Sequence, residues 1–183
     1  MTVALSITVG VATGITSSAL FWLLQAKALR PKIRLEPVMS RHRLPHDTVD
    51  RCQVKYVNRR RRPAFDLRFT VRFRMPGLVR EGSIEWLLCL SESIPWVAGR
   101  SYRRHTIRPN QMPEAMIARY GKYMPTWVTQ TISTGGDIDL VTFLNLCPGS
   151  SIEVTVYASD SFSGATGVER KVYTVNEIVT VAK

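Results

Sequence analysis

Charge is absent from the start of this 183-residue chain: Val3 to Leu24, VALSITVGVATGITSSALFWLL, runs 22 residues without a charged side chain. That is about the length a helix needs to cross a hydrocarbon core of roughly 30 Å. A cleaved signal peptide fits less well, although Ala26-Lys27-Ala28 offers a small-x-small cleavage pattern. No Lys or Arg precedes the run, and the run exceeds the usual length of a signal core. Cysteine is scarce. Cys52, Cys89 and Cys147 are odd in number and spaced for neither a disulfide framework nor a metal pair, so they read as free thiols in strands. No Asn-x-Ser/Thr acceptor is present, so nothing requires a glycosylating compartment. Catalytic signatures are missing as well. His42, His46 and His105 lack metal-ligand spacing, no nucleotide-binding glycine loop or nucleophile elbow occurs, and Asp137 and Asp139 after Gly135-Gly136 read as turn chemistry at a strand or helix start. The expectation is a protein that is not an enzyme and carries no cofactor or metal.

What the chain has in excess is positive charge, 25 Lys and Arg against 14 Asp and Glu. The excess is uneven: residues 27–108 hold 20 basic and 7 acidic side chains, residues 109–183 hold 5 and 7. A field confined to one half of the chain points to an anionic partner, whether nucleic acid, nucleotide or lipid headgroup. The composition, 45% hydrophobic and 21% charged, is that of a folded domain, and the residues after the apolar run suffice for one well-packed core.

Lys27, Arg30, Lys32 and Arg34 follow the apolar run directly. By the positive-inside rule they place the C-terminal side in the cytoplasm and the short N-terminus outside, with Trp22 in the interfacial belt. The expected organisation is a transmembrane helix over 1–26, a basic juxtamembrane linker over 27–34 and a cytosolic domain over 35–183. The helix is polar for a simple anchor. Ser6, Gly10, Thr13 and Ser17 fall within about 60° of arc, and Ser6, Gly10, Gly14 and Ser18 form a small-xxx-small ladder that permits close helix approach in lipid. Ser6, Gly10, Thr13, Gly14 and Ser17 are therefore candidates for a helix interface or a narrow pore lining. The plainer alternative is that the hydroxyls bond to carbonyls of their own helix.

Beyond Pro31 the pattern becomes alternating: Cys52, Val54 and Tyr56; Leu67, Phe69, Val71 and Phe73; Ile152, Val154, Val156 and Ala158 each alternate with polar neighbours. Period two predicts half-buried strands. Further strands are expected at Ile33–Met39, Ser83–Ser91, Ser101–Arg108, Trp127–Ile132 and Val168–Val175, separated by Gly and Pro turns. The fold class is all-β, an immunoglobulin-like antiparallel β-sandwich with one short helix over Met112–Met124, preceded by the transmembrane helix.

The segment NRRRRPAFDLRFTVRFR, Asn58 to Arg74, sets Arg59, Arg60, Arg61 and Arg62 between two strands and Arg68, Arg72 and Arg74 on the outward side of the second. Arginine at all these positions favours phosphate, which the guanidinium fork matches. A solvated edge that resists aggregation and a polybasic patch on anionic lipid are the competing readings. A second basic run, Arg100 to Arg108, interleaves Arg103 and Arg104 with Tyr102 and His105 just after Trp96, a mixture suited to unpaired bases and their phosphates. Arg59–Arg62, Arg68, Arg72, Arg74, Arg103 and Arg104 are the candidate ligand contacts.

A small-residue-rich membrane helix joined through RPKIRLEP to an arginine-tipped sandwich resembles the small bacterial membrane effectors of anti-phage defence, in particular the channel effector of the Hailong system. The resemblance implies an inner-membrane ion channel assembled as a homotetramer. It also implies gating by a single-stranded DNA oligomer or other nucleotide ligand, supplied by a partner nucleotidyltransferase. A membrane-tethered scaffold or accessory subunit, its arginines on anionic lipid, is the other reading that the residues support.

Overall fold

The computed structural model of the chain describes residues 2–43, 50–79, 82–90, 94–107, 118, 121–124, 126–134, 139–146 and 149–180. Helix α1 (Thr2–Leu29) carries the apolar run, and its portion Ser6–Leu29 is long and apolar enough to cross a membrane. At about 1.5 Å per residue its 28 residues span about 42 Å, more than the hydrocarbon core alone. The helix continues through Lys27 and stops just before Pro31, which cannot extend it; strand β1 (Ile33–His42) begins at once. Only Arg30, Pro31 and Lys32 lie between the two elements.

The remaining elements are nine strands and, among the described residues, two short α-helices. One sheet has the order β6 (Tyr102–Ile107), β2 (Arg51–Asn58), β1, β9 (Ile178–Thr180); all its pairs are antiparallel except β1 with β9. The other has the order β4 (Gly82–Leu90), β3 (Ala64–Val79), β7 (Ser151–Ser159), β8 (Thr166–Tyr173), with β5 (Ile94–Val97) paired to the first residues of β3. The alternation predicted for β3 is met: Leu67, Phe69, Val71, Phe73 and Met75 are buried, while Arg68 and Arg72 are exposed. They face Cys52, Val54 and Tyr56 of β2 across the core, with the Tyr56 ring edge-on to Phe69 at 5.0 Å. The Tyr173 hydroxyl donates to the Glu36 carbonyl at 2.8 Å and ties β8 to β1.

Trp127–Ile132 is not a strand. Helix α2 (Thr126–Ser133) occupies it, and α3 (Leu140–Leu146) follows. The β-branched residues mislead here because their polar atoms are met inside the helix, Thr131 Oγ1 donating to the Trp127 carbonyl at 2.7 Å. Val128 is fully buried, and the Trp127 and Phe143 rings meet edge-on at 5.6 Å, so tertiary packing overrides local preference. The two helices close one end of the core, where Phe143 also packs on Phe73 at 4.3 Å. The single helix expected over Met112–Met124 lies largely outside the described residues; its described end is a 3-10 turn at Gly121–Tyr123 before buried Met124. Asp139 caps α3 through the Val141 amide and the Thr142 hydroxyl, at 3.1 and 2.6 Å.

Candidate functional site

The four consecutive arginines form the crossover from β2 to β3, and so from one sheet to the other. Buried Asn58 shapes it: its side-chain amide donates to the Arg62 carbonyl at 2.8 Å and its side-chain oxygen accepts from the Arg60 amide at 3.1 Å. The backbone of the crossover is then shared with two other segments. Arg59 donates its amide to the Lys32 carbonyl at 2.9 Å, and Arg100, at φ 55°, donates its own to the Arg60 carbonyl at 2.9 Å. Gly99 lies so close that a Cβ there would sit 1.9 Å from the Arg61 carbonyl oxygen. The Arg60 guanidinium reaches the carbonyl of Lys27 in the last turn of α1, at 3.5 Å.

The charged tip therefore wraps the point where the chain leaves α1. A groove of about 380 Å³ there is lined by Lys27, Arg30, Lys32 and Arg60, with Glu169 the one carboxylate among its described lining residues. The short linker is held from the far side by β8, because a Cβ on Gly167 would lie 2.3 Å from the Pro31 carbonyl oxygen.

Beside the tip, the turn between β7 and β8 is organised by Asp160, whose side chain is only 3% exposed. Its Oδ2 accepts from the Phe162 amide, the Ser163 amide and the Ser163 hydroxyl at 3.1, 2.8 and 3.0 Å. The Arg62 Nε lies 3.8 Å from the other oxygen. Burial pushes this carboxyl up, but the Ser163 hydrogen bonds, the Arg62 charge and the Phe162 amide outweigh it and hold the group below the ordinary carboxylate value. The Arg62 guanidinium also stands over the ring of Phe162, 5.6 Å from its centroid.

The other arginine candidates are not part of this tip. Arg68, Arg72 and Arg74 lie along the outer face of β3, with roughly 20 Å of strand between the first and last. Arg68 is paired with Asp66 at 2.9 Å. Arg72 and Arg74 stand 3.8 and 3.9 Å from Glu153, whose side chain is 2% exposed and is also bound by Arg170. Three guanidiniums around one buried carboxylate account for burial on the outward side of β7, and these arginines hold the sheet surface together. Arg103 and Arg104 adjoin in sequence but register opposite Tyr56 and Lys55, on opposite faces of the edge strand β6, and so do not form one patch. Tyr102 lies within cation–π distance of Lys55, at 5.4 Å. His105 stacks on Phe69 at 4.2 Å as part of the core edge.

In α1, Ser6, Gly10, Thr13, Gly14 and Ser17 are all exposed. Thr13 and Ser17 donate to the Val9 and Gly14 carbonyls at 2.7 and 3.1 Å, in line with the plainer reading of the hydroxyl stripe. Among the described residues, and apart from the backbone of its own helix, no atom lies within 4 Å of a Cβ placed on Gly10 or Gly14.

Sequence reasoning missed Arg170 and the Asp160–Phe162 turn, and it placed Arg100 in the second basic run without making it a candidate contact. The segment SDSFSG reads only as a turn; the available signal was a Phe amid small polar residues. The sequence matches no protein-family model and no curated protein.

Proposed function

We propose that this chain is a single-pass membrane protein, N-terminus outside, whose cytoplasmic domain binds phosphate-bearing anions through an arginine collar at the exit of its membrane helix. The observation that carries this reading is the bonding of the tip to the helix exit, Arg59 amide to Lys32 carbonyl and Arg60 guanidinium to Lys27 carbonyl. With α1 in a bilayer, the last turn lies among headgroups, and Arg59–Arg62 with Lys27, Arg30 and Lys32 stand at the level of lipid phosphate. Anionic headgroups are thus the best-supported occupant, which makes the protein a tethered module held against its own membrane. The strand orders β6-β2-β1 and β4-β3-β7-β8 pair the second strand with the sixth and the third with the seventh, which supports an immunoglobulin-like assignment of the sandwich.

A second reading keeps the collar and changes the anion. Trp96 and Tyr102, 54% and 62% exposed, flank the Arg100 corner, and exposed aromatic rings beside arginines suit unpaired bases. Under that reading the chain is a homo-oligomeric channel effector of anti-phage defence. A single-stranded DNA oligomer on the collar would act on α1 directly, and the small-residue stripe would be the helix contact.

Native mass spectrometry of the full-length protein from mild detergent separates the two. Retained anionic lipid that disappears when Arg59–Arg62 are replaced by Gln supports the tethered module. A closed oligomer carrying mass in nucleotide steps supports the gated channel, and unchanged retention of either ligand by the Gln variant refutes the collar.

A further inference from the structure

The geometry points to the turn between β7 and β8 as a second membrane contact, in which Phe162 enters the bilayer interface beside α1. The inference rests on α1 crossing the bilayer and deepens the proposed reading by adding an apolar element to the collar.

Phe162 is 70% exposed at the tip of a turn, and among the described residues its ring is met by the cation of Arg62. Its position is what gives it meaning. Phe162 and Ser163 line one side of a gap of about 280 Å³ whose other side is Trp22 and Gln25 of α1. Trp22 lies five residues before Lys27, the first charge after the apolar run, and so about 7.5 Å further toward the membrane. A ring at the height of Trp22 is at the interfacial belt, on the apolar side of the charged collar.

Most exposed turns would resist such a place because their amides need water. This one meets the amides of Asp160, Phe162, Ser163, Gly164 and Ala165 internally. The Asp160 amide donates to the Ala165 carbonyl and the Gly164 amide to the Asp160 carbonyl, both at 2.9 Å. The Phe162 and Ser163 amides go to Asp160 Oδ2, and the Ala165 amide goes to the Ser163 hydroxyl at 3.2 Å. Gly164, at φ 66°, allows the tight return. The Asp160 charge stays behind, buried at the base and facing Arg62. The result is an apolar tip with five of its amides paired within the turn and the Arg62 cation beside its ring, and its occupant is the bilayer that the proposed reading has α1 cross.

The test uses the full-length protein, with Cys89 and Cys147 changed to Ser, in nanodiscs of phosphatidylcholine alone and of phosphatidylcholine with phosphatidylglycerol. An environment-sensitive fluorophore is placed at Phe162→Cys, at Ser161→Cys on the same turn, and at Thr142→Cys on α3 at the far end of the domain. Insertion predicts blue-shifted emission at 161 and 162, roughly halved by lipids spin-labelled near the headgroup, with no quenching at 142. Water-like, unquenched emission at 161 and 162 in both lipid mixtures overturns the proposal. Quenching at 161 and 162 that is equal in neutral and anionic discs, alongside loss of anionic-lipid selectivity by the whole protein, retains the insertion and rejects the lipid-binding collar.

Discussion

Asp160 concentrates several roles in one carboxylate: it accepts the amides that close the β7–β8 turn, and its other oxygen faces Arg62. Because its folded value is held below the ordinary one, the stability it contributes is fully present above the unfolded carboxylate value, near 3.9, and is lost as pH falls through the folded value. Asp160→Asn is therefore expected to lower stability by about 1–3 kcal/mol at neutral pH. The difference from wild type should shrink as pH drops below about 4. Thermal midpoints measured against pH check this; a deficit that is constant down to acid would mean that the charge is not what holds the turn. Cys52 shows the opposite use of burial. Desolvation, helped by the Asp139 charge, pushes its thiol up to about 12, which makes it a packing residue rather than a reactive one.

At the level of elements, most strands were legible, but the short β5 and β9 and the junctions were not. Period-two alternation located β2, β3 and β7 because one face of each is buried by the opposite sheet, and no other arrangement of Leu67, Phe69, Val71 and Phe73 produces it. The segment TWVTQTIS was misread because alternation and β-branching describe its side chains, whereas its helix is imposed by the pocket that Val128 and Trp127 fill. The arginine tip was placed between its strands correctly. Its contact with Lys27 and Lys32 was invisible, since it joins residues about thirty positions apart through backbone carbonyls that no side-chain pattern encodes. Gly167 is the same kind of residue, chosen for what it leaves out. Gly167→Ala should force β8 and the Pro31 carbonyl apart and cost about 1–3 kcal/mol. In the full-length protein, hydrogen exchange at the Arg59 amide, which bonds to neighbouring Lys32, should rise with it. A variant as stable as wild type with that amide still protected would show that the approach is not close in solution.

For the whole molecule, the three residues between α1 and β1 are fixed from two sides, by the Arg59 amide on Lys32 and by β8 against Pro31. With α1 as the proposed membrane span, the domain should not swing on it. Time-resolved anisotropy of a label on the domain, with the protein in nanodiscs, is expected to show only the slow tumbling of the disc. Inserting Gly-Ser-Gly-Ser between Arg30 and Pro31 should add a fast component. A fast component already present in wild type would contradict the fixed junction.

A clamped junction has a further meaning for any assembly of such chains. Since neither Pro31 nor Lys32 can absorb twist without breaking a packed contact, the sandwich and α1 act as crank and shaft. With α1 in a bilayer, as proposed, whatever turns the sandwich about the membrane normal by some angle would turn the face of α1 that bears Gly10 and Gly14 by the same angle, and the junction would transmit torque across the bilayer surface.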